Sequence, residues 1–170
     1  MSTIEIRYVR PEDDRFEISK IYEQSWKTAY KGMIPDSFLE SIPKGKWCKG
    51  IDLPGRKSMV FIEDGKFIGT SSFCKSRFEK WPDSGEIVSI YFLPEYFGKG
   101  YGKRLIEAVI DELRKDGYKE IFLWVLEDNK RARKFYEKCG FEKTEDFLDD
   151  TIDGRVIRDI RYVRRFNNDT

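Results

Sequence analysis

Residues 90–105 read IYFLPEYFGKGYGKRL, and this stretch decides the fold. An apolar, strand-like run ends at Pro94, and three glycines at alternate positions follow it before an amphipathic helical segment. Backbone N–H groups at a helix N-terminus lack intrahelical partners and carry a partial positive charge, and glycines let an anion approach them closely. The stretch therefore predicts a strand, a loop that binds a phosphate or pyrophosphate, and a helix, with Lys99, Lys103 and Arg104 adding positive charge.

Three phosphate-binding sequence patterns can be compared with this loop. Counted from Gly98, both the Walker A pattern and the dinucleotide-binding fingerprint need a glycine at position 103, where the chain has Lys103. The acyl-CoA pattern, Arg or Gln followed by x-x-Gly-x-Gly or Ala, fits at Gly100 and Gly102, but its first position is Phe97. Taken alone, the loop is also compatible with a glycine-rich connector that only turns the chain.

The composition is that of one globular domain. The chain has 170 residues, of which 39% are hydrophobic and 37% charged, enough to bury a core without disulfides or metals. The net charge is +1, and Lys and Arg are spread along the chain, which argues against a nucleic-acid partner. The N-terminus has no apolar run and no stretch approaches the length of a membrane span, so we expect a cytoplasmic protein without a membrane partner.

Residue types that are rare or absent narrow the possible chemistry. The three cysteines, Cys48, Cys74 and Cys139, are widely spaced and odd in number, which indicates reduced thiols and not a disulfide framework. The chain has no histidine, which excludes Ser-His-Asp triads, Cys-His dyads and histidine-ligated metal sites. We therefore expect no bound metal, and acid–base chemistry must use carboxylates, tyrosine, lysine or cysteine.

Hydrophobic periodicity and turn signals predict the order of the secondary structure elements. Alternation predicts a strand over residues 3–10, helical spacing predicts a helix over about 13–30, and a short helix follows near Pro35. Asp64-Gly65 indicates a hairpin turn. The other expected elements are a strand over 86–93, helices over 103–117 and 130–139, a strand over 120–126, and two closing strands after Phe141. This order predicts one mixed sheet, part antiparallel and part parallel, with helices on both faces.

Two blocks, EIVSIYFLPEYFGKGYGKRLIEAVI and IFLWVLEDNKRARKFYEKCGFEKTE, together resemble the GCN5-related N-acetyltransferase (GNAT) superfamily. They cover residues 86–145, about a third of the chain, and SWKTAYKGMIP in the N-terminal half looks like the first helical segment of several bacterial members. The resemblance implies an α/β, GNAT-type acyl-CoA N-acyltransferase fold. It also implies a central mixed, mostly antiparallel sheet of six to seven strands, with helices on both faces, in a single GNAT acetyltransferase domain over residues 1–170.

The resemblance also implies acetyl-CoA as the co-substrate and a set of residues that hold it. Backbone groups of Ile90, Tyr91 and Phe92 would pair with the pantetheine arm where this strand separates from the next one at a bulge. The pyrophosphate would lie on the loop formed by Phe97, Gly98, Lys99, Gly100, Tyr101, Gly102 and Lys103. Asn129 and Arg133 in the second block complete the expected set. Phe97 replaces the usual Arg or Gln, so Lys99 and Lys103 are expected to supply the charge.

Catalysis in this family needs a proton donor for the departing sulfur and a route for the amine proton. Tyr136 holds the general-acid position of the family, although helical spacing by itself also fits a core aromatic. Glu86 is the first candidate for the general base, with a solvated carboxylate at a strand end as the alternative. Asp83 and ordered water are the other candidates for the base.

The sequence leaves two functions open. The first is an acetyl-CoA-dependent N-acetyltransferase that transfers the acetyl group directly to a primary amine of a small molecule or peptide. The second is a non-catalytic acyl-CoA-binding sensor module. Tyr136 favours the enzyme, and Phe97 favours the sensor. Dimers are common in the superfamily, so a homodimer is one expected assembly.

Overall fold

The computed structural model describes residues 1–167. Its strands are β1 Ile4–Tyr8, β2 Lys57–Glu63, β3 Lys66–Lys75, β4 Gly85–Phe92, β5 Glu120–Leu126, β6 Glu142–Ile152 and β7 Arg155–Arg165. Its helices are α1 Arg15–Ala29, α2 Asp36–Ser41, α3 Cys48–Ile51, α4 Tyr101–Lys115 and α5 Lys130–Lys138, with a 3-10 turn at Pro94–Tyr96. The predicted order of elements is confirmed. The sequence pattern did not indicate α3 or the 3-10 turn, because elements of three or four residues are too short to show a period.

The seven strands form one sheet in the order β1-β2-β3-β4-β5-β7-β6. All neighbouring strands run antiparallel except β4 and β5, which are parallel. The expectation of a mixed, mostly antiparallel sheet is thus confirmed. The Asp64-Gly65 hairpin is also confirmed, because β2 and β3 pair from Lys57 with Phe73 to Glu63 with Lys66.

Alternate residues of β2 pack against different helices, so the sheet is covered on both faces. Val60 and Ile62 belong to a buried cluster with Ile18 and Tyr22 of α1. Phe61, which points the other way, belongs to the main core cluster together with the apolar stripe of α4. That stripe consists of Leu105, Ile106, Val109, Ile110 and Leu113, all of which are buried. These two faces are the α1 side and the α4 side of the sheet.

The parallel strands β4 and β5 separate soon after they meet. Their pairing extends only from Gly85 with Ile121 to Ile87 with Leu123. At the same point β4 contains one extra residue relative to β3, since Phe73 pairs with Ile87 while Ser72 pairs with Ser89. This bulge bends the strand and re-aims it. Among the described residues, the remaining length of β4 therefore has no strand partner on its β5 side.

Two further features of residues 1–167 are the state of the cysteines and the character of the helices. The three cysteines are free thiols, and Cys139 is buried, as expected for a small apolar residue on the inner face of α5. Over residues 1–167, no helix has the length and apolar character needed to cross a membrane.

Candidate active site

The gap between β4 and β5 opens into a cleft of about 1440 Å³. The cleft is bounded by the end of α1, the glycine loop, the first turns of α5 and the β6–β7 hairpin. Most of the residues predicted to bind a co-substrate meet here. The lining residues include Ile90, Tyr91, Phe92, Phe97, Gly98, Gly100, Tyr101, Gly102, Lys103, Asn129 and Tyr136.

The glycine loop ends in an uncapped helix N-terminus. Gly100 is the N-cap of α4 and has a φ of 80°, in the left-handed region where a Cβ atom is strained. Within residues 1–167, no side chain caps the first turn of α4 by accepting a hydrogen bond from it. Those N–H groups are therefore left for water or a ligand, and the turn lines the cleft through Tyr101, Gly102 and Lys103. This arrangement suits a phosphate group.

Gly102 has a different role from Gly100. A Cβ atom at this position would lie 3.2 Å from Cζ of Phe135, which is tighter than ordinary van der Waals contact. The absence of a side chain thus lets α5 pack closely against the first turn of α4. This contact holds the two helix N-termini on the same side of the cleft.

Phe97 and Arg131 form a contact at the mouth of the cleft. Phe97 lines the cleft, and the guanidinium carbon of Arg131 lies 4.7 Å from the centroid of its ring. Arg131 also lines the cleft, as do the exposed cations Lys103, Lys130 and Lys134. The end of the cleft beside the glycine loop is therefore positively charged. Lys99 does not belong to the lining, and its Nζ atom lies 5.1 Å from the centroid of the Tyr96 ring.

Tyr136 lies on α5 and reaches the cleft from the α4 side of the sheet. Burial raises its pKa well above the usual value, and the nearby Tyr91 and Cys139 raise it further. The hydroxyl is therefore protonated at neutral pH. It has no hydrogen-bond partner among the described side chains, so its proton can be donated to a ligand in the cleft. Asn129 fixes the start of α5, because its Oδ1 atom accepts a hydrogen bond from the Ala132 N–H at 3.1 Å.

A pair of tyrosines connects the two sides of the cleft. The hydroxyls of Tyr30, at the end of α1, and Tyr91, on β4, are 3.1 Å apart. Burial raises the pKa of Tyr91 to about 12. Burial also raises the pKa of Tyr30, followed by the effects of Tyr91, Tyr136 and Asp159, so these four side chains lie near one another. Both hydroxyls stay protonated at neutral pH.

Asp159 brings a carboxylate to the cleft from β7. It lies between Leu126 of β5 and Leu148 of β6 in the sheet, and all three residues line the cleft. Burial raises the pKa of Asp159 to about 6, and the negative charge of Asp150 contributes in the same direction. The carboxylate is thus ionised at neutral pH but takes up a proton in mildly acidic solution.

The cleft thus combines a separated parallel strand pair, a helix N-terminus without a side-chain cap and a buried tyrosine, and the sequence that forms it matches a known family. The sequence model described as Acetyltransferase (GNAT) family matches residues 17–141. The chain belongs to the GNAT family. The resemblance drawn from residues 86–145 is therefore confirmed, and the protein is an N-acetyltransferase homologue with acetyltransferase relatives along most of its length.

Individual relatives of this GNAT acetyltransferase cover most of the chain. It is 32% identical over 133 residues to the uncharacterized N-acetyltransferase YuaI of Bacillus subtilis, covering 74% of this chain and 73% of that one. It is 28% identical over 150 residues to a spermidine N(1)-acetyltransferase of Thermoplasma acidophilum, covering 85% and 91%. The crystal structure of PaiA N-acetyltransferase from Thermoplasma acidophilum, in complex with coenzyme A, superposes with a TM-score of 0.76 at 24% identity, covering 96% and 99%. That structural likeness shows the fold.

Glu86 has surroundings that differ from both expectations for it. Its side chain is fully buried and not solvated, and it does not line the cleft of this GNAT acetyltransferase. Nη2 of Arg77 donates a 2.6 Å hydrogen bond to Oε2, and Nε of Arg77 contacts both oxygens at 3.2 Å. This placement argues against Glu86 as the general base. Asp83 is exposed and also lies outside the lining.

Arg133 was expected to contact the co-substrate, but in the structure its side chain has protein partners. Its Nε atom donates to the Tyr162 hydroxyl at 2.9 Å and its Nη1 atom donates to the Glu127 carbonyl at 3.0 Å, so the side chain joins α5 to the sheet and does not line the cleft. Two residues earlier, Arg131 faces the cleft. Sequence reasoning missed Arg131 and Asp159. The position of Arg131 in the first helical turn after the Asn129 cap could have indicated that it faces the cleft. No local sequence pattern indicates that Asp159 does.

Proposed function

We propose that this GNAT acetyltransferase transfers an acetyl group from acetyl-CoA directly to a primary amine of a small molecule or peptide. One observation carries the proposal. The uncapped N-terminus of α4, the unpartnered edge of β4 and the protonated hydroxyl of Tyr136 all meet in a single cleft. Each of these groups matches one part of the co-substrate: its diphosphate, its amide-containing arm and its sulfur.

The charged end of the cleft would hold the diphosphate. The N–H groups from Gly98 to Lys103 present a partial positive charge, and the side chain of Lys103 adds a full one. The acyl-CoA pattern has Arg or Gln at the position of Phe97. Arg131, whose guanidinium lies against the Phe97 ring, would supply the positive charge that this position lacks. The crystal structure of the PaiA relative in complex with coenzyme A supports this assignment.

The edge of β4 would hold the arm. Backbone groups of Ile90, Tyr91 and Phe92 lie beyond the last pair shared with β5 and can bind an extended amide-containing ligand in the manner of an added strand. Asn129, buried at the start of α5, lies on the other side of the same gap.

Tyr136 would protonate the departing thiolate. In the proposed transfer a C–N bond forms as the C–S bond breaks, and a thiolate leaves more readily when it receives a proton. Because burial raises its pKa, Tyr136 carries that proton at neutral pH. Cys139 is buried in the core, and burial raises its pKa, so it is a poor nucleophile and direct transfer is favoured over an acyl-enzyme.

The test combines a binding measurement with a turnover measurement. We expect calorimetry to detect coenzyme A binding, and we expect thiol release from acetyl-CoA to depend on an added primary amine. Tyr136→Phe should retain coenzyme A binding and lose about 10²-fold or more in kcat, the usual contribution of a positioned proton donor. Tyr118→Phe is the matched control, because Tyr118 is a partly buried tyrosine outside the cleft. Absence of coenzyme A binding to the folded protein would refute the proposal.

A second candidate function is an acyl-CoA sensor without turnover, which Phe97 favours because it replaces the usual Arg or Gln of the acyl-CoA pattern. The same experiment separates the two functions. Coenzyme A binding without thiol release for any amine, in a protein whose Tyr136→Phe variant behaves identically, would support the sensor.

A further inference from the structure

The cleft passes between the two faces of the sheet, and Asp159 and Tyr136 enter it from opposite sides. Tyr136 belongs to the core cluster on the α4 side. Asp159 shares its face of β7 with Ile157, which packs with residues of α2 and the α1–α2 connection. On β6, Asp150 lies on this same face, because it pairs with Ile157. The α1 side of the cleft therefore carries two carboxylates, both among the lining residues.

Aromatic rings on the α1 side form a cluster that includes Ile157, and Trp26, Tyr30 and Trp47 of this cluster line the cleft. Trp26 and Tyr30 meet edge to face with ring centroids 4.9 Å apart, and Phe38 and Trp47 lie 6.2 Å and 5.4 Å from Trp26. The faces of aromatic rings attract cations, and so do carboxylates. The two features together favour an alkylammonium group as the ligand on the α1 side of the cleft. The basic end of the cleft, beside the glycine loop, has the opposite preference.

The Asp159 carboxylate has no partner of its own in the folded chain. No hydrogen bond or ion pair from residues 1–167 holds it, and the charged or titratable groups that face it are Asp150 of β6, Tyr30 at the end of α1 and Tyr91 of β4. None of these groups can neutralise it, since Asp150 is an anion and both tyrosines are protonated. A partly buried anion without a partner lowers stability, and such groups mark functional sites.

We propose, on the basis of the function proposed above, that the acceptor is an alkylamine with at least two ammonium groups. Asp159 receives a proton from the reacting nitrogen, and Asp150 pairs with the second ammonium group. Asp159 is thus an additional catalytic residue, and Asp150 is a specificity-determining one.

The proton count closes with Asp159 and Tyr136 in these roles. The reacting ammonium nitrogen loses two protons in becoming an amide. The first passes to Asp159 before attack and then to solvent. The nitrogen lone pair forms the C–N bond, and the C–S bond breaks with its electron pair on sulfur. Tyr136 gives its proton to that sulfur and recovers the second proton from the nitrogen. The net products are an acetylated amine, a free thiol and one proton.

The experiment measures thiol release at saturating acetyl-CoA with three probes: n-butylamine, 1,4-diaminobutane and spermidine. We expect kcat/KM for the diamine and the triamine to exceed that for the monoamine by about two- to fivefold, from one ion pair with the exposed Asp150. Asp150→Asn should remove most of this preference by raising KM for the diamine and the triamine more than KM for n-butylamine. Asp159→Asn should lower kcat about 10²-fold or more for all three probes.

The pH profile provides a readout that a purely structural role would not change. In the free enzyme kcat/KM should contain a rising limb with a pKa near 6, as Asp159 ionises, and this limb should be missing from Asp159→Asn. Asp149→Asn is the matched control, because Asp149 neighbours Asp150 on β6 but pairs with Arg158 at 2.8 Å and lies outside the cleft lining. It should behave as the unmodified protein.

A folding measurement keeps the test decisive. Since the folded-state pKa of Asp159 lies above its usual value, the ionised form destabilises the fold above pH 6, and this penalty disappears below pH 4. Asp159→Asn should therefore raise Tm at pH 8, with a smaller difference from the unmodified protein at lower pH. Undiminished turnover of Asp159→Asn, or a limb near pH 6 that this variant retains, would overturn the inference. A preference of the unmodified protein for the monoamine would also overturn it. In each of these cases the protein would still release thiol from acetyl-CoA, so the proposed function would stand. Failure to bind coenzyme A would instead overturn the proposed function itself.

Discussion

At the scale of single residues, the carboxylates of Glu86 and Asp159 differ in their surroundings and therefore in their expected roles. Glu86 is fully buried, and both of its oxygens are held by Arg77. Asp159 is also partly buried but has no cationic neighbour, and its pKa is raised. Arg77 already occupies both Glu86 oxygens, and the Glu86 side chain lies outside the cleft, so the geometry gives a substrate amine no access to it. Glu86 thus stabilises the connection between β3 and β4.

This difference predicts the behaviour of Glu86→Gln. The variant removes the charge from the buried half of an ion pair and should lower the free energy of unfolding by about 1–3 kcal/mol. Its kcat and its pH profile for acetyl transfer should stay close to those of the unmodified protein. Chemical denaturation and thiol-release kinetics measure the two effects. Asp83→Asn, at an exposed carboxylate nearby, should change neither. A loss of turnover without a loss of stability would return Glu86 to the role of base.

At the scale of elements, the N-terminus of α4 depends on its glycines for different reasons. Gly100 must adopt a left-handed backbone conformation, while Gly102 must leave room for the Phe135 ring. The first turn is consequently open toward the cleft and fixed against α5. Preorganised N–H groups bind an anion without reorganising, which favours binding of the diphosphate.

Gly100→Ala tests this element. A Cβ atom at φ 80° costs about 1–2 kcal/mol in the left-handed region, and relief of that strain would shift the first turn of α4. We expect lower stability and weaker coenzyme A binding, measured by denaturation and calorimetry. Gly50→Ala is the matched control, since this glycine lies in α3 without a positive φ and a Cβ atom there meets nothing within 4 Å. That change should leave stability equal or slightly higher. Equal coenzyme A affinity in both variants would contradict the assigned role of the loop.

At the scale of the whole molecule, the net charge of +1 conceals an uneven distribution along the cleft. Cations of the glycine loop and α5 line one end, the carboxylates of the β6–β7 hairpin line another part, and Arg56 and Arg77 also belong to the lining. In the proposed reaction, the basic end would attract the diphosphate of the coenzyme and the carboxylates would attract the cationic acceptor.

The exposed cations beside the glycine loop predict that KM for acetyl-CoA depends on the salt concentration. Because the cations there are exposed, raising the salt concentration from about 0.05 M to about 0.5 M should screen them and raise KM for acetyl-CoA severalfold, with kcat little changed. S-acetyl-pantetheine, which lacks the phosphate groups, is the control, and its KM should respond much less. Steady-state kinetics with both donors measure the difference. An equal response of the two donors would show that the basic end does not contact phosphate.

Local sequence signals predicted a large part of the molecule. The glycine loop, the apolar stripe of α4, the Asn129 cap and the Asp64-Gly65 turn each depend on residues within a few positions of one another, and each was found where it was predicted. The order of elements and the mixed sheet followed from the same signals. The family resemblance added a mostly antiparallel sheet of six to seven strands and a site role for Tyr136; the structure has seven strands, and Tyr136 lines the cleft.

The sequence by itself therefore determined the main elements, their order and the position of the glycine loop, because turn chemistry and periodicity are properties of neighbouring residues. Only the tertiary structure decided which charged side chains face the cleft. The rotation of α5 about its axis aims Arg131 at the loop and Arg133 at the sheet, the turn after β3 brings Arg77 onto Glu86, and the β5–β7 pairing carries Asp159 to the gap. Each outcome depends on packing between segments far apart in the chain, which no local pattern records.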